Sequence, residues 1–295
     1  MRSWILIPAD NEKAIGSAAG TGAEAVVIDL ARPLRAAQQA TARIAATTWL
    51  RLHREQLVAQ RKFERWVRIP ALGTPHWRDD LDAAMDGSPH GIVLSHCRGA
   101  DDIRQLASVL YEFEDRLGLA ANITRIMPEL GSTPAGALTI RRLADELHPR
   151  VSALTWDAVG LAHAIGARRL RGPGGRWGDA LAQVRAQILL IAHARGIGAI
   201  EHPFRDIRDS EAGARIADAA RADGFTGMFA IHPGQVEGIN AAFAPLESEI
   251  SDAHKIVSAF ATNPGAISLS VGERRVDQAA RLGVRCRVLI HGPRD

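Results

Sequence analysis

The sequence predicts a (β/α)8 TIM barrel with a C-terminal helical extension. Two patterns predict it. Eight short apolar runs recur along the chain, and the stretches between them carry helical spacing. A third observation is negative: no Gly-x-Gly-x-x-Gly follows any run, which turns the alternation away from an open dinucleotide-binding sheet.

The runs fall at residues 4–8, 25–30, 66–70, 91–94, 123–128, 151–156, 197–200 and 228–232. Each is rich in Val, Ile and Leu and bounded by Gly, Pro, Asp or Asn. Their hydrophobicity is continuous rather than alternating, as expected of parallel strands buried on both faces. Between them, Leu181, Val184, Ile188, Leu189 and Ala192 follow helical spacing. Residues 103–111 and 210–222 read as Ala-rich helices with one charged face. Beyond about residue 247 the repeat stops. Residues 247–261 read as a helix ended by Asn263-Pro264-Gly265, residues 267–272 as a short extended piece, and residues 274–282 as a further helix. The expected organisation is a catalytic barrel over 1–247 and an extension over 248–295 that packs on the barrel or on a neighbouring subunit.

Composition narrows the class. The 295 residues are 46% hydrophobic and 23% charged, with two cysteines, which argues against a disordered or disulfide-scaffold chain. A reducing cytoplasm is the expected home. Net charge is +3, and Lys occurs only at positions 13, 62 and 255. The Arg residues are interleaved with Asp and Glu, so no nucleic-acid footprint is expected. The densest basic cluster, Arg168, Arg169, Arg171 and Arg176, lies among Gly172, Pro173, Gly174 and Gly175 and reads either as a solvated loop or as an anion-holding one. No apolar run reaches the ~18–20 residues of a membrane span.

In a (β/α)8 barrel the active site forms at the C-terminal ends of the strands. Asp29 lies near the end of the second run and Arg68 within the third. Ser95, His96 and Cys97 follow the fourth, Glu129 the fifth and Asp157 the sixth. Glu201 and His202 follow the seventh, and His232 ends the eighth. Carboxylates, one Arg and several His in one ring suit a hard divalent cation and a carboxylate substrate. Mg²⁺ takes one or two protein carboxylates and fills its octahedron with water and substrate oxygens. Arg offers a planar fork to a carboxylate.

Each residue also has a structural reading. Asp157 can cap the following helix instead of binding metal. Near Glu129, Ser132 or Thr133 can supply the cap and leave the carboxylate free. Arg68 inside an apolar strand needs a partner, and Asp29 is the structural choice. His96 and His202 read as rim residues, Cys97 as a small packed hydrophobe, and His232 before Pro233 as a loop-shaping residue.

At these residues the chain resembles the citrate lyase β-subunit family, within the HpcH/HpaI aldolases and CoA-ester lyases that include malyl-CoA lyase. The resemblance runs through Arg2-Ser3-Trp4, Gly22-Ala23-Glu24-Ala25-Val26-Val27-Ile28-Asp29-Leu30, Val67-Arg68-Ile69-Pro70 and Trp77-Arg78-Asp79-Asp80-Leu81. It is strongest over Gly224-Phe225-Thr226-Gly227, Ala230-Ile231-His232-Pro233-Gly234-Gln235-Val236 and Phe243-Ala244-Pro245, and the tail keeps Gly272 and Asp277. The resemblance implies an oligomeric TIM-like barrel. It implies a carbon–carbon bond made or cleaved between a CoA thioester, or acyl carrier, and a keto acid chelated by Mg²⁺. CoA enters as part of the substrate, not as a bound cofactor. It makes Arg68 the carboxylate clamp, with Asp29, His232 and Gln235 beside the substrate, and Asp277 an acid/base acting from a neighbouring subunit.

Four departures accompany the resemblance. Asp29-Leu30-Ala31-Arg32 stands where the family has Asp-Leu-Glu-Asp, and Ser95-His96 where it has Pro-Lys. Ser132 and Gly160 stand at the family's metal-ligand positions, while Glu129 and Asp157 each lie three residues earlier. The expected metal ligands here are therefore Glu129 and Asp157. The alternative is a catalytically degenerate homologue that binds acyl-CoA or a partner without chemistry. A different acid-sugar or keto-acid aldolase would share the metal but not the CoA.

Overall fold

The computed structural model describes residues 1–55, 62–272 and 274–277. Eight parallel strands close into one barrel in sequence order. They are β1 (Ser3–Pro8), β2 (Ala25–Asp29), β3 (Glu64–Ile69), β4 (Gly91–Cys97), β5 (Arg125–Leu130), β6 (Ala153–Trp156), β7 (Gly198–Glu201) and β8 (Gly227–Ala230). All eight apolar runs supply a strand, and the barrel closes where β8 pairs with β1 through Ser3 and Met228.

The strand ends differ from the apolar runs in an informative way. β4 continues through Ser95 and His96 to Cys97 across a break in its register with β5, and His96 takes a left-handed φ of 48° there. Glu129 lies within β5 rather than after it. The fifth strand begins at Arg125, because Asn122 turns the chain at φ 64° and Ile123 stays exposed. β8 stops at Ala230, which leaves His232 in the following turn.

The connecting helices are α1 (Glu12–Ser17), α2 (Ala36–Leu52), α3 (Trp77–Asp86), α4 (Ala100–Arg116), α5 (Pro134–Thr139), α6 (Leu143–Glu146), α7 (Ala158–Ala164), α8 (Asp179–Ala194), α9 (Ser210–Asp223) and α10 (Val236–Ala242). In α4, Ile103, Leu106, Val109, Leu110 and Phe113 are buried, the apolar stripe that holds a helix on a barrel wall.

Aromatic rings fill part of the barrel. Trp4 and Trp66 meet edge to face at 5.0 Å, and Phe229 lies 6.1 Å from Trp4. Gly91 opens β4 because the Trp66 ring occupies its side-chain space: a Cβ there would lie 2.5 Å from Cη2. The outward-directed Arg65 of β3 donates to the carbonyls of Leu50, Gly87 and Ser88, so it takes up backbone acceptors around the ends of α2 and α3. Glu114 and Arg150 form a buried pair through two hydrogen bonds of 2.7 and 2.6 Å.

The chain divides into two compact units, Arg2–Ala242 and Phe243–Asp295 with Met1. The second contains α11 (Glu247–Thr262) and an antiparallel pair, β9 (Ser268–Val271) and β10 (Arg274–Asp277). The helix expected over 274–282 is corrected: its described residues, 274–277, form a strand. Gly272 turns the chain at φ 62°, and Val276 then sits opposite Leu269 across the ladder and is buried. A cross-strand apolar pair of this kind overrides local helix preference. Residues 278–282 lie outside the described residues. Among the described residues no helix is long and apolar enough to cross a membrane.

Candidate functional site

Arg68 is the centre of the barrel mouth. It projects from β3 between carboxylates on β2 and β5. Its Nη1 donates to Asp29 Oδ1 at 3.0 Å, and its Nε and Nη2 donate to the two oxygens of Glu129 at 3.1 and 2.9 Å. The three side chains are 16%, 10% and 12% exposed. The structural partner expected from the sequence, Asp29, is present, and Glu129 joins it from 61 residues away. Burial alone would weaken the charge on Arg68, yet Glu129 and Asp29 overcome it and hold the guanidinium protonated above its usual range. Burial likewise pushes the Glu129 carboxyl up, and Arg68 outweighs it, so the carboxyl titrates below its usual range. A guanidinium has five N–H donors; three are committed here, which leaves one each on Nη1 and Nη2 for a ligand.

Asp157 follows β6 and caps α7, its Oδ1 accepting from Gly160 N at 2.9 Å. Its Oδ2 lies 4.0 Å from His96 Nδ1. The carboxylate fills the space beside Gly160, where an added Cβ would stand 2.8 Å from Asp157 Cγ and 3.2 Å from Ser132 Cβ. Thr133 caps α5 by accepting from Gly136 N, so Glu129 has no capping duty. Both carboxylates line one cavity of about 470 Å³, with Arg68, His96, Thr155, Gly160, His163, His202 and Arg205 around it and Leu6 and Phe229 as apolar wall.

The sequence reading placed His202 on the rim. It lines the cavity, and its Nε2 is buried with no hydrogen-bond partner. Burial pushes its ring below the ordinary histidine range, against the pull of Asp157, Glu201 and Glu129. The only signal in the sequence was a His directly after an acidic strand end. Glu201 itself is structural: it accepts from Trp156 Nε1 and from Arg185 Nε.

Within the barrel unit, His232 and Gln235 serve the turn after β8. His232 Nδ1 accepts from Gly234 N, and Gln235 Oε1 accepts from the Ile231 and His232 N–H groups while its Nε2 donates to Phe204 O. These bonds build the turn after β8, and neither residue is among those lining the cavity. Asp277 is exposed on β10, opposite Ser268. Cys97 is buried and its thiol is pushed up to about 12 by that burial, consistent with packing. In the basic loop, Arg171 stacks 3.7 Å over Trp177 and donates to Gly175 O.

The donor set can be tested against a metal. No group of three or more His, Cys, Asp or Glu side chains converges on an ion site among the described residues. Two oxygen donors, Glu129 and Asp157, do share the cavity, with Arg68 and Arg205 also lining it. Hard oxygen donors of this number suit a Mg²⁺ that keeps several waters; they do not fit a cation needing a full protein cage.

Comparison with known proteins gives this architecture a context. Residues 2–233 match the family model described as HpcH/HpaI aldolase/citrate lyase. The citrate lyase subunit beta of Leuconostoc mesenteroides is 26% identical over 286 residues, covering 94% of this chain and 88% of that protein. The (3S)-malyl-CoA thioesterase of Cereibacter sphaeroides is 28% identical over 261 residues, covering 88% and 82%. Among solved structures, CitE of Mycobacterium tuberculosis in complex with magnesium, acetoacetate and coenzyme A superimposes with a TM-score of 0.73 at 24% identity, covering 99% and 98% of the two chains. The citrate lyase beta subunit from M. tuberculosis complexed with oxaloacetate and magnesium gives 0.64 at 28% identity, covering 82% and 96%.

Proposed function

Because the chain belongs to the HpcH/HpaI aldolase/citrate lyase family, we propose that it is a carbon–carbon lyase. It would cleave or form the bond between a CoA thioester, or an acyl carrier, and a small keto acid. One observation carries this reading: Arg68, Glu129 and Asp157 line a single cavity at the strand ends of the barrel.

In this reading Arg68 takes the substrate carboxylate with its two uncommitted N–H donors. Asp29 and Glu129 hold the guanidinium plane in place, so the fork is oriented before the ligand arrives. Glu129 and Asp157 would hold Mg²⁺, which when bound supplies Lewis-acid stabilisation of charge developing on a keto oxygen. Leu6 and Phe229 keep one wall of the cavity apolar, which strengthens electrostatic contacts inside it. His232 and Gln235 shape the turn beside the substrate. Asp277 serves as acid/base from a neighbouring copy, in a homo-oligomer working in the cytoplasm, with residues 1–247 as the catalytic barrel and 248–295 as the extension.

A second reading has its own observation. Asp157 spends one oxygen on capping α7, Arg68 occupies both oxygens of Glu129, and Ser132 and Gly160 carry no carboxylate. A chain built this way binds a CoA ester or keto acid without cleaving it.

Calorimetry and a cleavage assay separate the two. The lyase reading expects Mg²⁺ to bind, acetoacetate to bind more tightly in its presence, and malyl-CoA or citryl-CoA to release a keto acid trapped by phenylhydrazine. Ligand binding with neither Mg²⁺ uptake nor keto-acid release would establish the second reading.

A further inference from the structure

We propose that Arg205 is a second carboxylate clamp, facing Arg68 across the barrel mouth, and that the site therefore selects keto acids carrying two carboxylates. This rests on the reading of the Arg68 cavity as a keto-acid site and names the substrate class within it.

Position comes first. The eight strands close in sequence order, so β3 and β7 stand on opposite sides of the barrel. Arg68 comes from β3, and Arg205 from the loop after β7. Both line the same cavity, with Glu129 and Asp157 on the β5 and β6 side between them.

Arg205 is also uncommitted. It is exposed, and among the described residues no hydrogen bond or ion pair occupies its guanidinium. Arg185 of α8, by contrast, is spent on Glu201 and Asp223. The backbone that carries Arg205 is held. Phe204 O accepts from Gln235 Nε2 at 2.7 Å, and Gln235 Oε1 accepts from the N–H groups of Ile231 and His232. The Phe204 ring packs against α9, where a Cβ added to Gly213 would lie 3.4 Å from Cδ1. A long cation therefore stands on a fixed base with all of its N–H donors open to a ligand.

Charge gives that cation its use. Arg68 is flanked by two carboxylates, Glu129 and Asp29, so the trio is net negative and does not by itself balance a dianion. A ligand with a second carboxylate needs a further cation at its far end, and Arg205 is the other arginine lining the cavity. Each guanidinium presents a planar fork that matches a carboxylate. A keto diacid spanning the mouth sets one carboxylate on Arg68 and the other on Arg205, with its ketone oxygen toward Glu129 and Asp157. A keto monoacid engages Arg68 alone, so the two ligand classes differ by one whole charged contact.

The test uses the full-length protein with Mg²⁺ and two probes, freshly dissolved oxaloacetate and pyruvate, on the parent, Arg205→Leu and Arg205→Lys. Calorimetry on the parent should show oxaloacetate binding about tenfold or more tightly than pyruvate. In Arg205→Leu that ratio should fall to about threefold or less, with the loss falling on oxaloacetate. Arg205→Lys should keep part of the preference, because it keeps the charge without the fork. Thermal melting should place both variants close to the parent, as expected for an exposed side chain. A ratio unchanged in Arg205→Leu, or a parent that binds the two keto acids equally, overturns the second clamp and leaves the cavity reading standing. So does a variant whose affinity for CoA falls while its keto-acid ratio holds, which assigns Arg205 to a phosphate instead. If the parent binds neither keto acid, the cavity reading falls and the second clamp falls with it.

Discussion

Replacing Arg68 with Met removes the one cation shared by two buried carboxylates. The hydrophobic volume is roughly kept, but Glu129 loses both of its Arg68 hydrogen bonds and Asp29 loses one. Breaking a buried pair from one side costs about 3–5 kcal/mol, because an uncompensated charge stays behind. The side chains are 16%, 10% and 12% exposed, so solvent screens little of this. Urea unfolding should show that loss at pH 7. The sign of its pH dependence is a sharper test. In the parent, Glu129 titrates below its usual range, so its contribution is complete above the unfolded value of about 4.3 and fades as pH falls through the lower folded value. In Arg68→Met, burial acts without the guanidinium and raises the Glu129 carboxyl. The deficit is then largest above that raised value and shrinks as pH falls. Adding Glu129→Gln should recover about half of the lost stability. A single-variant loss below about 1 kcal/mol, or a deficit that grows on acidification, refutes the reasoning.

Three further outcomes are expected. Gly160→Ala pushes the Asp157 carboxylate off its cap, costing about 1 kcal/mol, while the Ala gains a similar amount of helix propensity; a melting curve showing a net loss above about 3 kcal/mol rejects this balance. Gly91→Ala drives a methyl into the Trp66 ring and should cost about 1–3 kcal/mol or more, so an unchanged urea midpoint counts against the described packing. Cys286 lies outside the described residues, so Cys97 is best examined in a Cys286→Ser background. There its thiol, pushed up to about 12, should resist a disulfide reagent at pH 8 until the chain is unfolded, and rapid labelling of the native protein contradicts its burial.

The barrel was readable in the sequence because strands buried on both faces must be apolar throughout, and helices between them must show a stripe. What was not readable follows from the same physics. The ends of β4 and β5 carry Ser95, His96 and Glu129, polar residues that break the apolar run where the strand reaches the mouth; functional positions are where local pattern and fold disagree. The Asp29–Arg68 pair was anticipated because a buried Arg needs a partner, but nothing local marks Glu129 as the second one across 61 residues. Asp157 had two readings, and only the folded backbone shows its carboxylate turned to Gly160 N. The β10 strand was missed because its partner, β9, is what makes it extended. His202 was placed at the strand ends but only as a rim residue, because periodicity says nothing about whether a ring nitrogen is buried.

The seam between β1 and β8 has a consequence for how the chain folds. Ser3, Trp4 and Ile5 pair with Met228, Phe229 and Ala230, so the first strand to be synthesised waits for the last. Until residues 227–230 are available, β1 keeps one unsatisfied row of backbone donors and acceptors, and the Trp4 ring lacks its Phe229 neighbour. An open edge beside an aromatic residue invites pairing with another chain. Nascent chains halted before residue 227 should therefore depend on chaperones more than chains halted after β8, and the rate of barrel closure should be set by this one long-range pairing rather than by the local β–α units.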